Sequence, residues 1–341
     1  MRLLQSTTVL AMTLTLAALT GLDAAQAQTK ITVGKIVGGI GLHIPSYIAM
    51  DKGFFKEEGL DARWIELQGR PMITAGLTGN LDFVPIPSGG ANAVLTANAP
   101  LRYIVNQSLK PQYIIVAKPE IKTVEDLRGK TLGYARVGAA DYDEGATTLE
   151  RFFNMKVGRD YKVIQFQGEP ERLAALSNGD IAAALVSVPR AYQASQAGFN
   201  VLLRTGDYLP RAGGAFWCTD DFFNKNPETV KKFIRAIAKG VMYYRDNKEG
   251  SYASMKEHLG VQSDAEAGVL WEELHNTFAA ELPPDLYREI FESRRLDLIA
   301  AGQWPKDKPL PDPEQYLGRT MLDATLKEMN YVPTKIDAKP K

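Results

Sequence analysis

The sequence predicts an α/β protein of two lobes, each a mainly parallel sheet flanked by helices, with a ligand cleft between them. Three observations carry this. The pattern Q-G-x-P occurs twice, as QGRP at 68–71 and QGEP at 167–170. Each copy sits in the same order of elements. An apolar strand precedes it (ARWIEL at 62–67, YKVIQF at 161–166). A helix, a glycine stop and a second apolar strand ending at proline follow it (MITAGLTGNLDFVPIP at 72–87, ERLAALSNGDIAAALVSVP at 171–189). Finally, strands and helices alternate through most of the chain before a purely helical tail. Short βα turns use Gly and Pro for reasons of their own, but the match runs well past the tetrapeptide. It reads as one βαβ unit used twice.

The elements follow in order. KITVGKIVGG at 30–39 alternates apolar Ile31 and Val33 with polar or small residues, giving a strand that runs into a glycine turn. A helix is expected over 43–52, with Ile44, Tyr47 and Ile48 at helical spacing and Gly53 as its stop. A strand over 60–67 leads into the first QGxP unit, and strands at 101–107 and 112–118 come after it. A second block starts at TVEDLRGKTLGYARVG (123–138), with a strand at 130–135 and a helix after GAADYDEG. It ends with a helix at 190–197, a strand at 200–205 and a returning strand, AFWCT, at 215–219. From Pro227 the pattern turns helical. Val230, Phe233, Ile234, Ile237 and Val241 line one side of a long amphipathic helix. PKDKPLPDP at 305–313 is a proline-rich loop, a last helix covers 314–329, and the Lys-rich end is frayed. The expected organisation is 28–115 and 216–330 for the first lobe, 116–215 for the second, and 331–341 as a tail. Hinges are expected at 116–118 and 215–219.

Residues 1–27 read as a leader: Arg2, an apolar run at 7–22, and AQA at 25–27 as a small-x-small cleavage site after Ala27. The run is shorter than the roughly 20 apolar residues a membrane span needs. Export to the periplasm is therefore expected. The single cysteine, Cys218, is far from that site, which excludes a lipid-anchored N-terminus there and an internal disulfide. A core must hold the fold together, and 341 residues suffice for one. Lys+Arg and Asp+Glu number 40 each, with no long run of one sign. That argues against nucleic acid or an anionic membrane as partner. A monomer is expected.

The sequence has no G-x-S-x-G elbow, no H-E-x-x-H and no phosphate loop of the G-x-x-x-x-G-K-[ST] type. His43, His258 and His275 are scattered, so neither a triad nor a metal site is indicated, and no cofactor is expected. In α/β sheets ligands bind at the carboxyl ends of the strands. The loops there offer Gly41, Leu42 and His43, then Gln68 and Arg70, then Ser88 and Gly89. In the second lobe they offer Arg136, Gly138, Ala139 and Asp141, then Gln167, then Ser187, Val188 and Pro189, with Arg190 beyond. Helix N-termini bring unpaired N–H groups and a positive dipole end to such loops. Plainer roles compete: Ser88 as an N-cap, Asp141 with Glu144 as a capping arrangement, and Glu169 as an acid that suits a helix start. Arg70 breaks that rule, since a cation at a helix start opposes the dipole at a cost of about 0.3–1 kcal/mol. It is therefore the candidate ligand contact or cross-lobe latch.

GLHIPSYIAMDKGFFKEEGLD at 41–61 resembles the opening of the nitrate/sulfonate/taurine-type solute-binding proteins of ABC importers. These share their fold with the proteins that bind pyrimidine precursors of thiamine. VEDLRGKTLGYARVG, LAALSNGDIAAALVS and FFNKNPETVKKFIRAIAKG fit the same family in order, over about residues 31–330. The resemblance implies a type II periplasmic-binding-protein fold, a small solute held by hinge closure, and delivery to ABC permease subunits. It places ligand contacts at 41–43, Gln68, Ser88 and Gly89, 138–141 and 187–189. Many members carry an acid before the proline at the last of these loops, where this chain has Ser187-Val188-Pro189. Loss of that acid, with Arg70, Arg136, Arg190 and His43 nearby, points to a small organic anion, a carboxylate or sulfonate with a possible aromatic body. Two alternatives remain open: a ligand-sensing accessory protein of the periplasm, and a thiamine-pathway pyrimidine synthase-like enzyme. The enzyme would need clustered His or Cys chemistry.

Overall fold

In the computed structural model the described residues are 28–37, 40–67, 69–137 and 139–334. The expected leader at 1–27, Gln68, Gly138 and the end of the tail lie outside them. The first lobe opens with β1 (Thr29–Ile36), α1 (Ile44–Asp51), the short α2 (Phe54–Glu57), β2 (Leu60–Leu67), α3 (Arg70–Leu77), α4 (Pro87–Ala97) and β3 (Leu101–Ser108). The second lobe holds β4 (Tyr113–Ala117), β5 (Thr131–Tyr134), α5 (Ala140–Phe153), β6 (Lys162–Gln165), α6 (Glu169–Asn178), β7 (Ala183–Ser187), α7 (Val188–Gln196) and β8 (Asn200–Arg204). The chain then returns through β9 (Gly214–Thr219), α8 (Asp220–Lys225), α9 (Pro227–Asp246), α10 (Tyr252–Leu259), α11 (Asp264–Leu274), α12 (Pro284–Ala300) and α13 (Arg319–Glu328).

Both sheets are mixed rather than mainly parallel. β1 and β2 pair in parallel. Phe83 bridges to Val33 in parallel and Val84 to Trp217 antiparallel, so two residues stitch β1 to β9, and β9 pairs antiparallel with β3. The second sheet has the order β6-β5-β7-β4-β8. β5 is parallel to β6 and β7, while β4 runs against both β7 and β8. A parallel neighbour needs a crossover helix. β4 and β9 arrive straight from the other lobe, so nothing holds them parallel to the strands they join.

The expected hinges at 116–118 and 215–219 fall in or at the end of paired strands, β4 and β9, and the expected lobe boundaries cut the same two strands. The connections at 109–112, between β3 and β4, and at 208–213, before β9, belong to no sheet.

The two QGxP copies share order but not backbone. Arg70 and Glu169 are each the first residue of a helix with proline next. Gly69 has φ +60°, a region that excludes most side chains, whereas Gly168 is in the ordinary β region. The apolar stripe of α9 is buried as expected. Phe233 from that stripe stacks on Phe83 at 3.8 Å and meets Phe216 edge-on at 5.0 Å, which seats the helix on the first sheet. The expected last helix is a 3-10 turn at Pro313–Tyr316 followed by α13.

Candidate functional site

Strand ends and helix starts from both lobes enclose a cavity of about 50 Å³. The first lobe contributes Ile36, Ile40, Leu42, His43 and the run from Pro85 to Pro87. The second contributes Tyr113, Ala139, Asp141, Glu169, Arg172 and Arg190, and the returning passage adds Gly213. Three hydrogen bonds hold the first lobe's wall. The Tyr47 hydroxyl accepts from the Ile40 N–H at 3.2 Å. The Trp217 indole N–H donates to the Ile86 carbonyl at 3.0 Å, and the Tyr103 hydroxyl to the Pro87 carbonyl at 2.6 Å. Each donor or acceptor is a buried aromatic residue of the first lobe, so the wall is set by the core behind it.

His43 is buried at the end of a 3-10 turn. Its Nδ1 lies 2.7 Å from Gln107 Nε2. Burial lowers the pKa to about 3, against the raising effect of Gln107. His43 is therefore neutral and supplies no positive charge at neutral pH.

Glu169, like Asp141, is an acid that faces the cavity. Its Oε1 accepts from the Ser187 N–H at 2.9 Å and its Oε2 from the Ser187 hydroxyl at 2.8 Å. Burial raises its pKa, opposed by Arg172 and by both Ser187 bonds. Beside it, Arg172 Nη1 reaches Asp141 Oδ2 at 2.6 Å and also donates to the Leu185 carbonyl, with both side chains almost wholly buried. Burial lowers the Arg172 pKa, and Asp141 and Glu169 more than offset this, so the guanidinium stays charged. The Arg172 Nε has no hydrogen-bond partner among the described residues. Two carboxylates and two guanidiniums thus line an otherwise apolar chamber. Each carboxylate oxygen of Glu169 keeps a lone pair beyond the one given to Ser187.

The expected site residues divide. Leu42, His43, Ala139 and Asp141 line the cavity. Gly41 is not among the lining residues; a Cβ there would stand 3.0 Å from Gln112 Oε1 and 3.4 Å from Pro189. Ser187 spends its N–H and hydroxyl on Glu169, and Val188 and Pro189 are buried in the first turn of α7. Gln167 and Arg136 are exposed and outside the cavity. Arg70, Ser88 and Gly89 line a separate groove of about 390 Å³ beside it. The expected caps are absent. Ser88 is the second residue of α4, and its buried hydroxyl has no partner among the described residues. α5 is capped by Ala139, with no side-chain bond. Sequence reasoning missed Glu169, Arg172, Tyr113 and the loop from Pro85 to Pro87. The one available signal was the Glu169/Arg172 spacing, which puts an acid and a base on one face of α6.

Among the described residues no three His, Cys, Asp or Glu side chains group as metal ligands, and no helix is long and apolar enough to cross a membrane. The family described as NMT1/THI5-like matches residues 41–251, more than half of the chain. The 4-amino-5-hydroxymethyl-2-methylpyrimidine phosphate synthase THI5 of Saccharomyces cerevisiae is 25% identical over 224 residues, covering 59% of this chain and 63% of that protein. The chain thus spans under two thirds of that relative's length. Among solved structures, the alkanesulfonate-binding protein SsuA of Xanthomonas axonopodis pv. citri, bound to MOPS, superimposes with a TM-score of 0.70 at 16% identity over 86% of this chain and 98% of its own. The periplasmic nitrate-binding protein NrtA of Synechocystis PCC 6803 does so with 0.73 at 14% identity, over 92% of each chain. At such identities the likeness is one of fold, the bilobal fold of periplasmic binding proteins.

Proposed function

Since the chain belongs to the NMT1/THI5-like family, we propose that it is the solute-binding component of an ABC importer. In this reading it works in the periplasm, traps a small molecule between its lobes and delivers it to permease subunits. The leader-like residues 1–27 support export, and the likeness to sulfonate- and nitrate-binding proteins supports the transport role. The observation that carries the reading is a small, largely apolar cavity between lobes with buried polar groups at one end.

The ligand chemistry follows from which charges face that cavity. Of the four groups that suggested an anion, Arg70 and Arg136 lie outside it and His43 is neutral, which leaves Arg190; Arg172 also lines it but is paired with Asp141. The start of α7, where an anion would meet free N–H groups, already holds the Glu169 carboxylate. The acid that many members of the resembled family carry before this proline, absent here, has a counterpart in Glu169 of α6. We assign the ligand as a compact apolar body bearing an N–H donor, an amine or amino-heterocycle, that donates to Glu169. An anionic ligand becomes the rival outcome.

A thermal-shift screen tests both levels at once. Binding to the folded state raises Tm with ligand concentration. Amines and aminopyrimidines should raise it, and Glu169→Gln should weaken the binding by about tenfold or more, the scale of one hydrogen bond to a charged group. A shift confined to sulfonates, carboxylates or nitrate would keep the transport reading and restore the anion. The relatives named as synthases favour an enzyme instead. Turnover of a ligand that raises Tm, followed by mass spectrometry, would establish that alternative.

A further inference from the structure

α12 belongs to the first lobe, yet its charged side chains reach into the second. Tyr287 and Phe291 of α12 pack on Tyr103 of β3, and the Tyr287 hydroxyl donates to Asn106 Oδ1 at 3.2 Å. These contacts fix α12 to the first sheet. On its other side Glu289 pairs with Arg151 of α5. Further along, the Arg294 guanidinium spans the groove between lobes. Its Nε donates to Asn92 Oδ1 of α4 at 2.9 Å, while its Nη1 lies 3.7 Å from Asp143 Oδ1 of α5. Asp297 holds the same Nη1 at 3.1 Å and so keeps the side chain across the groove.

α5 is also the element whose first turn, Ala140 and Asp141, lines the cavity. A rotation of the second lobe that opened the cavity would carry α5 away from α12 and part both pairs. None of Arg151, Glu289, Arg294 and Asp143 lines the cavity. Whatever they do for binding they do by holding the lobes together.

We propose that Arg294 and Glu289 form a clasp between lobes, positioning residues that set how much of the unliganded protein is closed and thereby its affinity. A ligand that needs the closed form binds with an apparent Kd divided by the closed fraction. Loosening the clasp weakens binding while every cavity-wall side chain stays as it is. The proposal rests on the capture of a ligand between the lobes.

Its test needs no ligand, which separates its failure from failure of the transport reading. Nitroxide labels on Asp61→Cys of β2 and Lys162→Cys of β6 report the spacing of the lobes by electron–electron double resonance. Both sites are exposed, and the native Cys218 is buried. The parent should show one dominant spacing. Arg294→Met and, as a milder change, Glu289→Gln should each move population to longer distances. Arg319→Met breaks only the Arg319–Glu314 and Arg319–Asp323 pairs, all of whose residues follow α12 in the first lobe, and should leave the distribution as it is. The proposal is overturned if both clasp variants keep the parent distribution. A fall in Tm without a change in spacing overturns it too, because it marks the pairs as ordinary structural contacts.

Discussion

Arg70 and Glu169 occupy the same place in two copies of one tetrapeptide, and their environments are opposite. Arg70 is exposed, with no hydrogen bond or ion pair among the described residues, so the unfavourable dipole position costs little where water screens it. Glu169 is buried and bonded twice to Ser187. Local rules of charge at a helix start do not separate these environments, because burial decides the energetics of a charge and burial is not a local property. Burial also sets a pH dependence. Burial of Glu144 outweighs the opposing charge of Arg211, 3.8 Å away, and its pKa rises from 4.5 to about 8. Burial likewise raises Asp143 from 3.8 to about 6. Acids raised in the folded state bind protons more tightly there than when unfolded. Their contribution is fully favourable below about pH 4 and is lost as pH rises through 6 and then 8. Urea unfolding should therefore show lower stability at pH 8 than at pH 5.5. Glu144→Gln should flatten that slope and stabilise the protein at pH 8, on the order of a few kcal/mol. A slope unchanged by the substitution would mean that Glu144 ionises freely in the fold.

At the scale of elements, what could be read were segments whose signal lies within their own residues. α9 is the clearest case, since its apolar stripe recurs at helical spacing and is buried throughout. β1, β2 and β3 were equally legible from alternation or apolar runs bounded by turns. The strand expected before Pro85 contracts to single bridges at Phe83 and Val84, and the directions of β4 and β9 ran against expectation. Pairing depends on partners more than a hundred residues away, as in Tyr103 with Trp217. Nothing in a strand's own residues names its partner. Phe233 shows how α9 is tied to those strands. It contacts Phe83 between β1 and β9, Phe216 on β9 and Phe55 on α2. Phe233→Ala should destabilise by about 3–5 kcal/mol, measured by urea unfolding. A loss under about 1 kcal/mol would show that the surrounding rings collapse into the space.

The whole molecule depends on two strands of backbone passing between lobes side by side. The Gly213 N–H donates to the Ser108 carbonyl at 2.8 Å, so the returning passage is hydrogen-bonded at the point where the outgoing one leaves β3. A Cβ on Gly213 would stand 2.2 Å from the Lys110 carbonyl oxygen, a backbone atom that cannot swing away. Glycine is required there by the neighbouring chain, and the same residue lines the cavity. Hinge segments absorb their change of backbone angle over a few residues, and here two such segments must move together. Gly213→Ala must push them apart. Overpacking of this kind costs about 1–3 kcal/mol, so Tm should fall. Because the displaced backbone also forms the cavity wall, the Tm rise given by any ligand found in the screen should shrink as well. The two effects should appear together, unlike those of a wall substitution such as Glu169→Gln, which acts mainly on the ligand. If Gly213→Ala kept both the parent Tm and the full ligand response, the passages would be free to separate, and lobe movement would have to be sought elsewhere than at 109–112 and 208–213.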